Sequence, residues 1–233
     1  MKKILYIILI GFLSFSCAKE EKDTSCLLWY NQPADNWNEA LPVGNGRLGA
    51  MIFGNPQKEM LQLNEETVWA GSPHSNINPE AAEYIPKVRE LIFNQQYQKA
   101  QELADEFIKT GQNGMPYQPV GNLHIKFPGH DDYSGYYRDL NIEKAVSSVS
   151  YKVEGVKYKR EIFSSFSDDV IIMHLTADKP GKITCNLSFT SPQQHTTKTK
   201  DNQLILSGRT SDWEGIEGKV QFNTRLKPIV KDG

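Results

Sequence analysis

The feature that most constrains this chain is a series of short segments in which apolar and polar residues alternate. Alternation at residues 149–153 ends at the turn pair Glu154-Gly155, and a further alternating segment follows immediately. Because successive side chains of a strand point to opposite faces, this pattern is typical of β-strands with one buried face. Strands joined by short turns predict an antiparallel β-sandwich. The other alternating segments lie near residues 51–53, 60–63, 123–127, 171–175, 183–189, 204–206 and 220–226.

A change of period interrupts the strands around residues 79–110. Asn78-Pro79 offers a helix cap followed by a proline, and apolar residues between 81 and 92 then recur on one helical face. After a break at 94–96, the same pattern resumes between residues 100 and 108. The sequence therefore predicts a helical hairpin inserted into a mainly β fold.

Composition limits the class of protein. The 233 residues include 39% hydrophobic and 23% charged residues, which are globular values and exclude wholesale disorder and a polytopic membrane protein. Lys and Arg number 26 against 28 Asp and Glu, for a formal net charge of −2. This balance provides no basic face for phosphate backbones, so nucleic acid is not expected as a partner.

The first residues have the pattern of a targeting segment. Lys2 and Lys3 precede a short apolar run that ends at Cys17, and residues 13–17 (LSFSC) resemble a bacterial lipobox. We therefore expect a lipoprotein signal peptide at 1–16, a lipidated tether at 17–26 and a globular domain from 27 to 233. Lipid on Cys17 predicts an outer-membrane anchor in the cell envelope, on its periplasmic or surface face. A plain secretory peptide with an incidental cysteine is the alternative.

Two further cysteines, Cys26 and Cys185, remain after Cys17. They could pair in an oxidising compartment, whereas the alternation around Cys185 favours a buried core thiol. Cysteine and histidine residues show no clustered spacing, so we expect neither a metal site nor a cofactor.

The tripeptide Gly44-Asn45-Gly46 permits positive φ angles and close backbone packing. With Gly49 it superficially resembles a phosphate-binding motif, but a strand rather than a helix is expected to follow. The interpretation favoured by the sequence is a structural tight turn between two strands.

The segment 65–74 combines an aromatic ring with carboxylates, hydroxyls and an imidazole. Sugars are bound by such sets, because their apolar C–H faces stack on aromatic rings while planar polar groups bind their hydroxyls. Trp69, His74 and Glu66 are therefore the candidate substrate-proximal residues. The alternative is a structural loop in which Trp69 is buried.

Paired acidic residues occur at 65–66, 131–132 and 168–169. Glycoside hydrolysis needs two carboxyl groups roughly 5–9.5 Å apart across the bond, and adjacent strand residues point to opposite faces. None of these doublets forms such a pair by itself, and the last two are interpreted as solvated turns. The histidines are scattered, with surface placement as the default, at His74, His124, His130, His174 and His195.

Several motifs in order make the chain, from about residue 27 onward, similar to the N-terminal domain of glycoside hydrolase family 95, the α-L-fucosidase family. The motifs that carry the resemblance are WY (29–30), PA (33–34), WNEALPVGNGRLG (37–49), LNEETVWAGSP (63–73), YQPVGNL (117–123), YRDL (137–140), VSY (149–151) and GVKYKREIF (155–163).

The resemblance implies a β-sandwich of the super-sandwich type that precedes an (α/α)₆ barrel, and the barrel holds the catalytic groups of these inverting enzymes. No catalytic residue can be assigned here, so the chain alone is predicted to be inactive. The turn signal at residues 231–233 has no following strand, which predicts an incomplete C-terminus. The expected partners are the absent barrel, fucosylated oligosaccharide and the outer membrane; fucose and L-galactose remain alternatives.

Two alternatives to the enzyme fragment remain open. One is a free-standing surface lipoprotein that binds glycans, and the other is a purely structural envelope lipoprotein.

Overall fold

The structure, a computed structural model, describes residues 25–109 and 114–231. The predicted signal peptide, Cys17 and most of the tether lie outside the described residues.

The described residues form antiparallel strands with a helical pair between the fourth and fifth. The elements in chain order are β1 (Leu27–Tyr30), β2 (Leu41–Gly44), β3 (Leu48–Ile52), β4 (Lys58–Glu65), α1 (Ala81–Phe93), α2 (Tyr97–Phe107), β5 (Gly121–Lys126), β6 (Ser134–Asn141), β7 (Val146–Val153), β8 (Val156–Ser165), β9 (Val170–Ala177), β10 (Asn186–Thr190), β11 (Gln194–Lys200), β12 (Gln203–Arg209) and β13 (Gln221–Leu226), with a short 3₁₀ helix at Trp37–Glu39.

The strands build two five-stranded sheets and one three-stranded sheet. The first sheet has the order β1-β6-β7-β8-β9, the second β10-β5-β4-β3-β2 and the third β11-β12-β13. The pairings are antiparallel. Short turns join neighbours such as β2 with β3 and β7 with β8, whereas the pairings β1 with β6, β4 with β5 and β5 with β10 bring together strands that are distant in the chain. The predicted antiparallel β-sandwich with an inserted helical hairpin is confirmed.

The main hydrophobic core lies between the first two sheets, and the third sheet contributes at one side. Alternate residues face inward, as the sequence period requires: Ile162 of β8 is fully buried, and Ile52 and Leu61 of the second sheet are almost so. Other members of this core are Leu41, Val43, Ala50, Leu123, Ile125, Phe127, Leu140, Phe189 and Leu206. Burial of this apolar face is the main force that holds the two sheets together.

The helical hairpin packs mainly on itself. The rings of Tyr84 and Phe107 stack at 4.0 Å between the two helices, and Ala100 is the buried residue of the pair. The predicted helical face on α1 exists, but Ile85 and Ile92 on it remain exposed. Neither helix of the described residues is long and apolar enough to cross a membrane.

Some sequence expectations need correction. The strand expected at 183–189 begins only at Asn186. His130, placed on the surface by default, is 5% exposed and lies against aromatic rings of β7 and β8. Cys26 and Cys185 are both free thiols, and Cys185 packs against the main core, as the core-thiol interpretation expects.

Candidate functional site

The 65–74 segment leaves the end of β4 and is fixed on both sides by backbone hydrogen bonds. The Gln118 amide donates to the Val68 carbonyl at 2.9 Å, and the Ala70 amide donates to the Pro116 carbonyl at 3.0 Å. Val68 and Ala70 are buried, so the alternation of an extended chain turns Trp69 outward. The residues on either side of Trp69 are therefore held in place by backbone hydrogen bonds to the 116–118 segment.

Trp69 is 46% exposed rather than buried. Its indole N–H donates to the carbonyl of Glu66 at 2.9 Å, and its ring meets Tyr117 edge-on at 5.3 Å. The Tyr117 hydroxyl in turn donates to the Glu65 carbonyl at 3.0 Å. The ring is therefore held in one orientation, with part of its surface available to another molecule or domain.

A pair of salt bridges lies at the base of this segment. The Glu65 carboxylate accepts from Arg47 Nε at 3.0 Å and from the Thr67 amide at 2.8 Å. Arg47 Nη1 donates to Asp169 at 2.9 Å. Burial alone would raise the pKa of Glu65, but the hydrogen bonds from Thr67 and Arg47 outweigh it and lower the pKa below its ordinary value of 4.5. Glu65 is therefore an ionised structural partner at neutral pH.

The turn at 44–46 positions Arg47. Asn45 Oδ1 accepts from the amides of Arg47 at 3.1 Å and Leu48 at 2.7 Å, and Gly46 adopts a φ of +93°. The Asn45 side-chain amide donates to the Ser165 carbonyl at 2.8 Å and to Asp169 at 3.1 Å. Gly44, Asn45 and Gly46 thus connect β2 to β3 and clamp this end of the second sheet onto the β8–β9 turn of the first.

The three candidate residues occupy different settings. Glu66 is exposed, and its amide donates to the Arg47 carbonyl at 3.0 Å, so it lies beside Trp69 at the ion-paired base. His74 is partly buried, and its Nδ1 donates to the Ser72 carbonyl at 2.7 Å. Because that carbonyl can only accept, Nδ1 carries a proton. The other ring nitrogen, Nε2, is buried and has no hydrogen-bond partner among the described residues.

Sequence reasoning missed Arg47, Asp169 and Tyr117 as parts of this site. Tyr117 reaches Trp69 through an isolated β-bridge across the helical insertion. Asp169 belongs to a doublet interpreted as a solvated turn, and its bond to Arg47 spans 122 residues. The one available signal was the occurrence of Arg47 in the same motif as the Gly44-Asn45-Gly46 turn.

The chemistry available here suits recognition and positioning. An exposed aromatic face, exposed carboxylate and guanidinium groups and an imidazole can line a polar pocket or an interface. Glu65 and Asp169 both bind the same guanidinium, so both serve to hold Arg47 in place. Within the described residues, no group of three or more His, Cys, Asp or Glu side chains is placed to hold a metal ion.

A second polar cluster is buried between the sheets. Arg160 and Glu59 form a salt bridge at 2.8 Å, with their side chains 2% and 0% exposed. Arg160 also donates to Tyr151 Oη at 2.7 Å, and His130 Nδ1 lies 2.9 Å from the same hydroxyl. Burial raises the pKa of Glu59, against the opposing effect of Arg160. Enclosure on all sides makes this cluster part of the fold rather than a binding site.

Comparison of the sequence with known proteins identifies a family and several relatives. Residues 28–233 match the family described as glycosyl hydrolase family 65, N-terminal domain. The chain belongs to this family. It is also 40% identical over 187 residues to alpha-L-fucosidase 2 of Arabidopsis thaliana, and 32% identical over 232 residues to probable alpha-fucosidase A of Aspergillus niger. These alignments include 78% and 94% of this chain but only 22% and 27% of the relatives, so the chain spans about a quarter of their length.

The comparisons confirm the predicted N-terminal domain of a fucosidase-type glycoside hydrolase. The sequence motifs were identified with family 95, whereas the matching description has the number 65. Both identifications describe the N-terminal domain of a glycoside hydrolase.

Proposed function

We propose that this chain is the non-catalytic N-terminal domain of an inverting α-L-fucosidase-type enzyme that acts on fucosylated glycans. In this proposal the domain packs on a catalytic barrel and shapes its active site through the 65–74 segment. Family membership and the fucosidase names of the relatives support the class of reaction.

The observation that carries the proposal is the presentation of Trp69. Its ring is almost half exposed, yet backbone pairing and the contact with Tyr117 fix its orientation. An aromatic side chain that is immobilised before binding loses little conformational entropy when a sugar or a second domain covers it. Such residues are typical of pocket walls and interface centres.

The positions of the carboxylates support assigning the hydrolysis step to the barrel rather than to this domain. Inversion needs a general acid and a general base about 6.5–9.5 Å apart, with room for a water molecule. Glu65 and Asp169 are instead bound to Arg47, and Glu59 is enclosed with Arg160. We therefore assign hydrolysis to the barrel and expect residues 27–233 alone to release no fucose.

The location is also a proposal. The lipobox-like pattern ending at Cys17 supports anchorage of the mature protein in the outer membrane. Replacement of Cys17 by Ala should move the protein from the membrane fraction to the soluble fraction, whereas Cys26→Ala should leave it membrane-bound. A Cys17→Ala protein that stays membrane-bound would refute the anchor.

The functional test uses the barrel-containing enzyme and measures fucose release from 2′-fucosyllactose. Trp69→Ala should lower kcat/KM by about tenfold or more, equivalent to about 1.4 kcal/mol of transition-state stabilisation. The control is Trp37→Ala, which removes an indole of similar exposure, 56%, from the short 3₁₀ helix. Unchanged kinetics for Trp69→Ala, or fucose release by residues 27–233 alone, would contradict the proposal.

The same variant separates the two roles open to Trp69. If the ring lines the pocket, KM should rise while the melting temperature stays unchanged. If it anchors the barrel, kcat and the melting temperature should fall together, because the catalytic groups would lose their positioning.

A further inference from the structure

The outward face of the first sheet contains a trough with small residues at its centre. Val149 and Tyr151 of β7 are buried, so the intervening Ser148 and Ser150 point to the opposite, outward face. Their short side chains form a floor between the larger residues of β6 and β8. Adjacent strands lie about 4.7–4.9 Å apart, which makes the trough two strand spacings, or roughly 10 Å, wide.

One wall of the trough is aromatic. Trp29 of β1 is 57% exposed, and its ring stacks on Tyr137 of β6 with centroids 6.5 Å apart and planes 17° apart. In the strand register, Trp29 lies opposite Asp139 and Tyr137 lies opposite Ser150. The two rings therefore lie nearly parallel to each other on the side of the trough next to Ser148 and Ser150.

The other wall is charged and polar. Glu161 lies opposite Ser148 and Lys159 opposite Ser150 in the register of β7 and β8. Lys159 and Glu161 form an ion pair at 2.7 Å, and His174 Nδ1 of β9 lies 4.0 Å from Glu161. Because these groups have both signs of charge, the wall offers donors and acceptors without selecting for a strongly anionic or cationic ligand.

We propose that this trough is a binding site for a pyranose-containing oligosaccharide. Trp29 and Tyr137 stack against the C–H face of a sugar ring, while Ser148, Ser150 and Glu161 hydrogen-bond its hydroxyls. Paired aromatic faces beside neutral hydroxyls match the amphipathic surface of a pyranose ring better than that of a nucleic acid, which needs a positive field. This site does not rest on the proposed function, since it uses none of the residues of the 65–74 segment.

The test measures binding of 2′-fucosyllactose and lactose to the 233-residue chain by isothermal titration calorimetry, after a screen on a glycan microarray. We expect millimolar or tighter binding by the unaltered chain. Trp29→Ala and Tyr137→Ala should each raise Kd at least tenfold. Ser150→Leu, which fills the floor without touching the rings, should do the same.

The matched control is Trp37→Ala, which removes an exposed indole of the 3₁₀ helix that is not one of the trough residues and should leave Kd unchanged. Trp69→Ala should also leave Kd unchanged. The proposal for the trough and the proposed function can therefore fail independently of each other. Circular dichroism of each variant shows whether the fold is intact. If Trp29→Ala disturbs β1, the edge strand, Ser150→Leu still tests the site because it leaves β1 unaltered.

Three results would overturn the proposal. The first is no retention on the array and no heat with either sugar at millimolar concentration. The second is binding that survives both aromatic substitutions. The third concerns acrylamide quenching of Trp29, measured as the difference between the unaltered protein and Trp29→Ala. If that difference is present in the 233-residue chain and absent from the protein purified from source cells, another part of the protein covers the face.

Discussion

Replacement of Arg160 by Met tests the buried cluster that joins the two main sheets. The guanidinium bonds Glu59 at 2.8 Å, the Asn55 carbonyl at 2.7 Å and the Tyr151 hydroxyl at 2.7 Å, and it also donates to the Pro56 carbonyl. Methionine occupies a similar volume but provides none of these bonds. The variant would leave the Glu59 carboxylate enclosed without its counter-ion.

The expected loss of stability follows from this geometry. Removal of one partner from a buried ion pair costs about 3–5 kcal/mol, because the remaining charge is no longer compensated. Glu59→Gln should cost less, about 2 kcal/mol, since the amide keeps some hydrogen bonding. The double variant should be more stable than the sum of the single effects predicts, with a coupling energy of at least about 1.5 kcal/mol.

Urea unfolding followed by tryptophan fluorescence provides the free energies, and a thermal scan should show a fall of about 6–20 °C for Arg160→Met. The control is Lys159→Met on the same strand, which breaks the exposed pair with Glu161 and should cost less than about 1 kcal/mol. Equal losses for Lys159→Met and Arg160→Met, or strict additivity with Glu59→Gln, would refute the reasoning.

Two more predictions concern stability. Burial and the charge of Arg160 lower the pKa of His130 below its ordinary value of 6.5, so the unfolded chain binds this proton more readily. The free energy of unfolding should therefore fall as the pH drops through 6.5, the ordinary pKa of histidine. Urea titrations at about pH 7 and about pH 5 measure this fall, and His130→Phe should reduce it. At Gly121, with a φ of +145°, a Cβ would collide with the Thr190 carbonyl, so Gly121→Ala should cost at least about 2 kcal/mol. Gly129→Ala, in open space at a φ of +80°, should cost about 1 kcal/mol by the same titration.

The strands that the sequence predicted are those with a strong local signal. In the β7–β8 hairpin, Val149, Tyr151 and Val153 are buried, while Glu154 and Gly155 both adopt positive φ in the turn between the strands. By contrast, every residue of β11 (Gln194–Lys200) is exposed, so no apolar alternation marks it. It is a strand because β12 pairs with it, and that pairing is not local information.

The candidate site was accessible to sequence reasoning only in part. Trp69, Glu66 and His74 lie within one short segment, so their composition suggested a common role. The bond from Arg47 to Glu65 spans 18 residues and its bond to Asp169 spans 122. The latter contact depends on how the first sheet packs on the second, which no periodicity specifies. His130 was missed for the same reason, because its burial comes from rings on two other strands.

The position of Arg47 also shows why a β-sandwich suits the proposed role. Asn45 and Arg47 both bind Asp169, so the end of the second sheet is tied to the first at the β8–β9 turn. Arg47 then holds Glu65, the residue from which the segment bearing Trp69 departs. The packing of the two sheets therefore supports the start of this segment, while the backbone pairing and the contact with Tyr117 orient Trp69 itself. A domain built in this way can hold an aromatic wall in place without supplying any of the reacting groups.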